Sequence, residues 1–229
     1  MIGTPCAFVL VMAKNIHRFL CFVALLCPCL CAGAKSVALS SFVKAVADSK
    51  VSFSYDFVLD RGEGPKMTGD GTVAVQGDAF LLEGNGLKVW CDGKTRWTVD
   101  EASEEAVIES VDASGDDFST NPALLVMAVD EVFTEISSGK SKFDGKVVEV
   151  SALSPKEQVS RASMEISFLK LYFKPGTSTL VGLEVRLGDD SVCVFKVSDF
   201  SVSDKVNEKE AFRLDEKSLP KSYVITDLR

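Results

Sequence analysis

The single histidine of this chain, His17, and five of its seven cysteines, Cys6, Cys21, Cys27, Cys29 and Cys31, lie within the first 34 residues. Beyond residue 34 there is no imidazole, so neither a Ser-His-Asp nor a Cys-His arrangement can form there. Two thiols, Cys91 and Cys193, are too few for the usual zinc sites. Paired carboxylates do occur, as in Glu104-Glu105 and Asp116-Asp117. In so acidic a chain, adjacent carboxylates read as a solvated surface rather than a glycosidase-like acid and base. "GDGT" and "DRGEGPK" have neither the spacing nor the strand-to-helix setting of a phosphate loop, and read as turns. The side chains thus point to binding rather than catalysis, with no metal and no cofactor expected.

The N-terminal segment has its own chemistry. "MAKNIHRFLCFVALLCPCLCAGA" places Lys14, His17 and Arg18 before an apolar run from Phe19, which ends in Ala32-Gly33-Ala34. That is the pattern of a secretory leader with an A-x-A cleavage site, and the apolar run is shorter than the ~20 residues a spanning helix needs. Residues 1–34 are therefore expected to be removed, with Met12 an alternative start to Met1, leaving one domain over 35–229. Their removal lowers Lys+Arg from 25 to 23 against 33 acidic groups, a net charge of −10. Such a surface disfavours nucleic acid and anionic membranes as partners. Whether Cys91 and Cys193 bridge depends on geometry that the sequence does not give.

The only two tryptophans, Trp90 and Trp97, flank "CDGKTR". Asp92-Gly93 suits a two-residue hairpin turn, because both residues tolerate positive φ. Cys91 would then pair with Lys94, and both indoles would share one face as diagonal neighbours. Two readings stay open for them: ordinary core, or the wall of a cavity.

The elements that must hold these residues follow from periodicity. "VALSSFVKAVADSK" spaces Leu39, Phe42, Val43 and Val46 as one face of a helix. "VSFSYDFVLD" alternates, with Val51, Phe53, Tyr55, Phe57 and Leu59 on one side of a strand. Turn signals at Gln76-Gly77-Asp78, Glu83-Gly84-Asn85-Gly86 and Asp92-Gly93 divide residues 71–100 into four short strands, and "EEAVIESV" adds another. In "STNPALLVMAVDEVFTEISSGK", Asn121 is an N-cap, Pro122 the first helical residue and Gly139 lies past the end. Leu125, Ala128, Val129, Val132, Phe133 and Ile136 make its stripe, so a helix over residues 121–137 is expected. The remaining apolar runs, including "EAFRLD" and "SYVITDLR", read as strands. Fold class is α+β: a strongly curved antiparallel sheet of about ten or eleven strands, with an N-terminal and a central helix on its concave face.

The order of these motifs resembles the periplasmic outer-membrane lipoprotein carriers, the LolA-like family. It runs through "GTVAVQGDAF", "VWCDGKTRWTVD", "NPALLVMA", "LYFKPGTSTLVGLEVRLGDD" and "AFRLD…YVITDLR", over residues 36–229. The resemblance implies an unclosed β-barrel whose apolar concave face, under a helical lid, carries lipoprotein acyl chains or other lipids through the periplasm. A monomer would be loaded by an inner-membrane lipoprotein-releasing transporter and unloaded to an outer-membrane acceptor. It places Phe53, Tyr55, Phe57, Phe80, Trp90 and Trp97 in the acyl-chain wall, and Leu125, Val129, Val132 and Phe133 in the lid. Where the best-known members have an arginine that couples the lid to cargo, this chain has Gln76, which hydrogen-bonds without charge. A lipid sensor of the same fold, and a structural secreted domain without a cavity, are the alternative classes.

Overall fold

The computed structural model describes residues 35–111, 121–156 and 166–229. The expected leader and the Asp116-Asp117 pair lie outside them. Helix α1 (Val37–Asp48) is followed by β1 (Lys50–Asp60), β2 (Met67–Gln76), β3 (Ala79–Gly84), β4 (Leu87–Cys91), β5 (Thr95–Asp100) and β6 (Glu105–Ser110). Then come α2 (Pro122–Val132), β7 (Phe133–Phe143), β8 (Lys146–Pro155), β9 (Ile166–Phe173), β10 (Leu180–Leu187) and β11 (Val192–Ser203). A one-turn helix α3 (Glu208–Ala211), a 3-10 turn (Glu216–Ser218) and β12 (Val224–Asp227) end the chain.

The twelve strands of the described residues join one curved, unclosed sheet in the order β12-β6-β5-β4-β3-β2-β1-β11-β10-β9-β8-β7. Two meanders, β1 to β6 and β7 to β11, meet where β1 pairs antiparallel with β11, from Lys50 opposite Ser203 to Asp60 opposite Val192. The last strand departs from the rule, since β12 lies parallel to β6. The alternation read in β1 is the burial pattern observed, with Val51, Phe53, Tyr55, Phe57 and Leu59 all inward.

The inward face needs a cover, and the helices supply it. Ser36 caps α1, its Oγ accepting from Leu39 N at 3.3 Å, and Ala38, Leu39, Phe42 and Val46 turn to the sheet. Phe42 packs between Phe173 and Phe200, with ring centroids at 5.5 and 6.3 Å. Asn121 caps α2, accepting from Ala123 N at 3.0 Å and Leu124 N at 3.3 Å. Ala123, Leu124, Leu125, Val126 and Val129 join the same apolar cluster as α1 and β1.

Two expectations are corrected. Helix α2 stops at Val132, because Phe133 is extended (φ −113°, ψ 155°) and residues 133–143 pair with β8 as an edge strand. Phe133 and Ile136 satisfied the helical period, yet only Phe133 is buried, and Ile136 is exposed. The ladder sets Thr134, Glu135, Ser137 and Ser138 opposite residues of β8, with an irregularity at Ile136, and so supplies backbone partners that a helix C-terminus would have left open. "EAFRLD" is a helical turn and coil rather than a strand, although Phe212 and Leu214 are buried as expected of its apolar positions.

The revised end of α2 is testable at Gly139. A Cβ there meets nothing within 4 Å, and its φ is not positive. Gly139→Val is expected to leave unfolding free energy within about 0.5 kcal/mol of the parent or raise it, since a β-branched residue suits a strand. A loss of ~1 kcal/mol or more in denaturant melts would instead restore Gly139 as a helix C-cap.

Candidate functional site

Between α2 and the inward face of β1 to β6 lies a cavity of about 440 Å³. Its apolar side is Tyr55 and Phe57 of β1, Met67 of β2, Leu82 of β3, Leu87 and Val89 of β4, and Leu124 of α2. Its polar side is Arg96 and Thr98 of β5, Glu109 of β6, and the amides of Asn85 and Asn121. The volume falls in the range of about 300–1,000 Å³ typical of small-ligand sites. Met67 and Leu87, 44% and 40% exposed, leave apolar surface at the cavity in contact with water.

Glycines shape the floor. Gly71 and Gly84 face each other across β2 and β3, and the Tyr55 hydroxyl sits 2.7 and 2.9 Å from where their Cβ atoms would be. A Cβ at Gly71 would also run into the backbone carbonyl of Glu83, and one at Gly84 into that of Asp70, so both positions need glycine for the strands and Tyr55 to approach this closely. That ring also packs edge-on against Phe195 at 5.8 Å, and Phe57 meets the same phenylalanine at 5.8 Å. Burial, then the electrostatic influence of Asp70 and of the Cys193 sulfur, push the Tyr55 phenol up to about 12. On the polar side, Arg96 Nε donates to Glu109 Oε1 at 2.9 Å across a directly opposed pair of β5 and β6. Among the described residues no three His, Cys, Asp or Glu side chains converge as metal ligands.

The residues expected in one wall divide among three places. Tyr55 and Phe57 line the cavity. Phe53 and Phe80 are buried in the main cluster. Trp90 and Trp97 form a correction, because they belong to the opposite face. Val89 and Cys91 on β4 point to the main cluster, so period-two alternation turns Trp90 away from it. The turn is also longer than expected: Asp92 Oδ1 accepts from Lys94 N at 3.0 Å and Thr95 N at 2.9 Å, and Asp92 N donates to Thr95 O at 3.2 Å. The register shifts by two, which sets Trp90 directly opposite Trp97.

On that outer face the indoles seat the C-terminal segment. Trp97, 1% exposed, packs with Val99, Ala106, Ile108 and Leu214, joined by Trp90, Leu219 and Tyr223. Its Nε1–H donates to Glu216 Oε1 at 3.0 Å, and the Arg213 guanidinium lies 5.7 Å from its ring.

Of the residues expected in a lid, Leu125 and Val129 are buried on α2 and Val132 is partly buried. Phe133 is buried as the first residue of β7. Gln76 is buried, and its side-chain amide makes a two-way pair with Val206: Nε2 donates to Val206 O at 3.0 Å, and Val206 N donates to Oε1 at 2.8 Å. Cys91 and Cys193 are both buried, on strands separated by β3, β2 and β1, and no disulfide joins them. Leu82 and Val89 were within reach of the sequence, since alternation from Phe80 and Cys91 gives their face. Arg96 and Glu109 carried no such signal.

No family model matches this chain, and no curated protein matches it. Among solved structures it is similar to an uncharacterized conserved protein from Thermus thermophilus, at 10% identity over 82% of this chain and 96% of that one, with TM-score 0.49. It is also similar to a DUF1329 family protein from Desulfovibrio piger, at 12% identity over 80% of this chain and 96% of that one, with TM-score 0.46. A LolA superfamily protein from Nitrosomonas europaea is similar at 10% identity over 79% of this chain and 99% of that one, with TM-score 0.42.

Tyr55 gives the floor a pH signature. Its folded-state value of about 12 lies above the ordinary 10.0, so between these limits the unfolded chain releases the phenolic proton first. Stability from this group is therefore intact below pH 10 and is lost as pH rises toward 12. Tyr55→Phe is expected to flatten the fall in unfolding free energy across that window. Equal slopes for the two proteins in denaturant titrations would remove Tyr55 from a water-poor floor.

Proposed function

We propose that this chain is a periplasmic carrier that shelters lipoprotein acyl chains between the inward face of β1 to β4 and the helix α2. The observation that supports it is a cavity of about 440 Å³ whose apolar side reaches water at Met67 and Leu87, beneath the N-terminal end of a short helix. Each buried CH₂ stabilises the complex by ~0.8 kcal/mol, so about ten sheltered methylenes give ~8 kcal/mol before ordering costs. That is on the scale of micromolar binding, and it needs no catalytic group.

In this reading α2 is the cover. Leu124 stands at the cavity, while Leu125 and Val129 rest on the sheet. Longer chains displace those contacts, and the helix swings out on its C-terminal end. Loading belongs to an inner-membrane lipoprotein-releasing transporter and unloading to an outer-membrane acceptor, with the carrier working as an exported monomer after loss of residues 1–34. Gln76 takes part as an anchor for the segment after β11, through Val206, rather than as a charged latch on the lid.

The test uses the exported protein purified without detergent, examined by native mass spectrometry and by displacement of a hydrophobic fluorophore with an acylated peptide. Leu87→Glu and Met67→Glu place a charge at exposed positions, so both should fold as the parent does and bind the acylated peptide at least about tenfold more weakly. Val58→Glu, at another exposed apolar position (38%) on the outer side of β1, should bind as the parent does. Equal binding by all four proteins, or no uptake by the parent, would leave the cavity without an acyl ligand.

A further inference from the structure

We infer that Glu135 is the receiving site for the amino terminus created when the chain is cut after Ala34; this rests on residues 1–34 being a removed leader. Oε1 of Glu135 is a buried side-chain oxygen without a hydrogen-bond partner. Its sister oxygen, Oε2, accepts from the backbone N–H of Ser36 at 2.6 Å. A buried carboxylate oxygen left unsatisfied is costly, and more so than a neutral acceptor. The nitrogen of Lys35 lies one peptide unit before Ser36 N, and consecutive Cα atoms are only about 3.8 Å apart. In the uncut chain that nitrogen is an amide with one N–H and no charge. After cutting after Ala34 it becomes an ammonium with three donors and a positive charge, the partner a carboxylate favours most.

The surroundings tie this nitrogen down. The Lys35 side chain pairs with Asp130 in the last turn of α2. Ser36 Oγ meets Ser151 Oγ of β8 at 2.9 Å. Lys156 Nζ donates to the Asp130 carbonyl at 2.8 Å, and Lys156 N donates to Val132 O at 2.9 Å. The first residues after the expected cut are therefore fastened to the junction of α2 and β7, where Glu135 stands. An ammonium on Glu135 completes that fastening. Asn121, at the other end of α2, borders the cavity. Processing thus clamps the end of the helix remote from the cavity, making it the pivot.

The test compares a protein beginning at Lys35 with one that retains Ala34, each with Glu135 and with Glu135→Gln. The chain starting at Lys35 is expected to melt higher than the Ala34-extended chain, and the difference to vanish in Glu135→Gln. Pairing with a carboxylate raises an amine's pKa, by about one unit or more at close range. Amine-selective labelling of the α-amine near neutral pH should then be about tenfold slower in the parent than in Glu135→Gln. Equal melting of the two chain starts, with equal labelling rates, would overturn the site. The Ala34 extension alters no other side chain, so the comparison stands even if Glu135→Gln folds poorly. The mass of the exported protein separates the two claims: a start other than Lys35 defeats the leader reading, whereas equal melting defeats the receiving site.

Discussion

The pairing of β1 with β11 is the constraint on which the rest depends. It joins strands far apart in the chain, Lys50 to Ser203 at one end and Asp60 to Val192 at the other, and so welds two meanders into one sheet. Because β1 alternates strictly, that weld commits Phe53, Tyr55, Phe57 and Leu59 to the same side as Phe195 and Cys193. A continuous apolar face across that many strands cannot be left in water, and it is the reason two helices lie on it. Where α1 lies, aromatic packing against Phe42 is close. Toward β4 to β6 the cover ends at the first turn of α2, and the space beyond Leu124 is the cavity.

The outer face meets a different requirement. The chain leaves β11 at one side of the sheet centre and must reach the free edge of β6, where β12 pairs parallel from Val224 opposite Glu105. Gln76 holds the start of that crossing through Val206, and the two tryptophans hold its end. Trp97 combines a fully buried ring with a satisfied N–H, which is the usual condition for burying an indole. Burial of Trp97 thus fastens a crossing segment instead of lining the cavity, whose apolar side includes Tyr55, Phe57, Leu82 and Val89.

What the sequence made legible were features that are local. Alternation marked the strands, and Asn85-Gly86, with φ of 53° and 80°, turned β3 into β4 where turn chemistry placed it. Asn121-Pro122 opened α2 as expected. The misreadings involve distant partners. Phe133 and Ile136 keep a helical period, and only the pairing with β8 makes them strand. The parity of Trp90 and Trp97 was correct relative to each other, but which face curls inward depends on β3 and on the helices, not on the hairpin. Arg96 and Glu109 are adjacent only through the β5–β6 register, and neither residue alone suggests a cavity wall.

The central claim is that α2 is a cover over an apolar site and not a fixed part of the core. Amide hydrogen exchange along Pro122–Val132, in the protein alone and saturated with an acylated peptide, tests it most directly. A cover that yields to its cargo should lose protection in α2 on binding, while the amides of β1 and β11 keep theirs. Protection of α2 that equals that of β1 and β11, unchanged by the acylated peptide, would contradict the account and make the helix ordinary core.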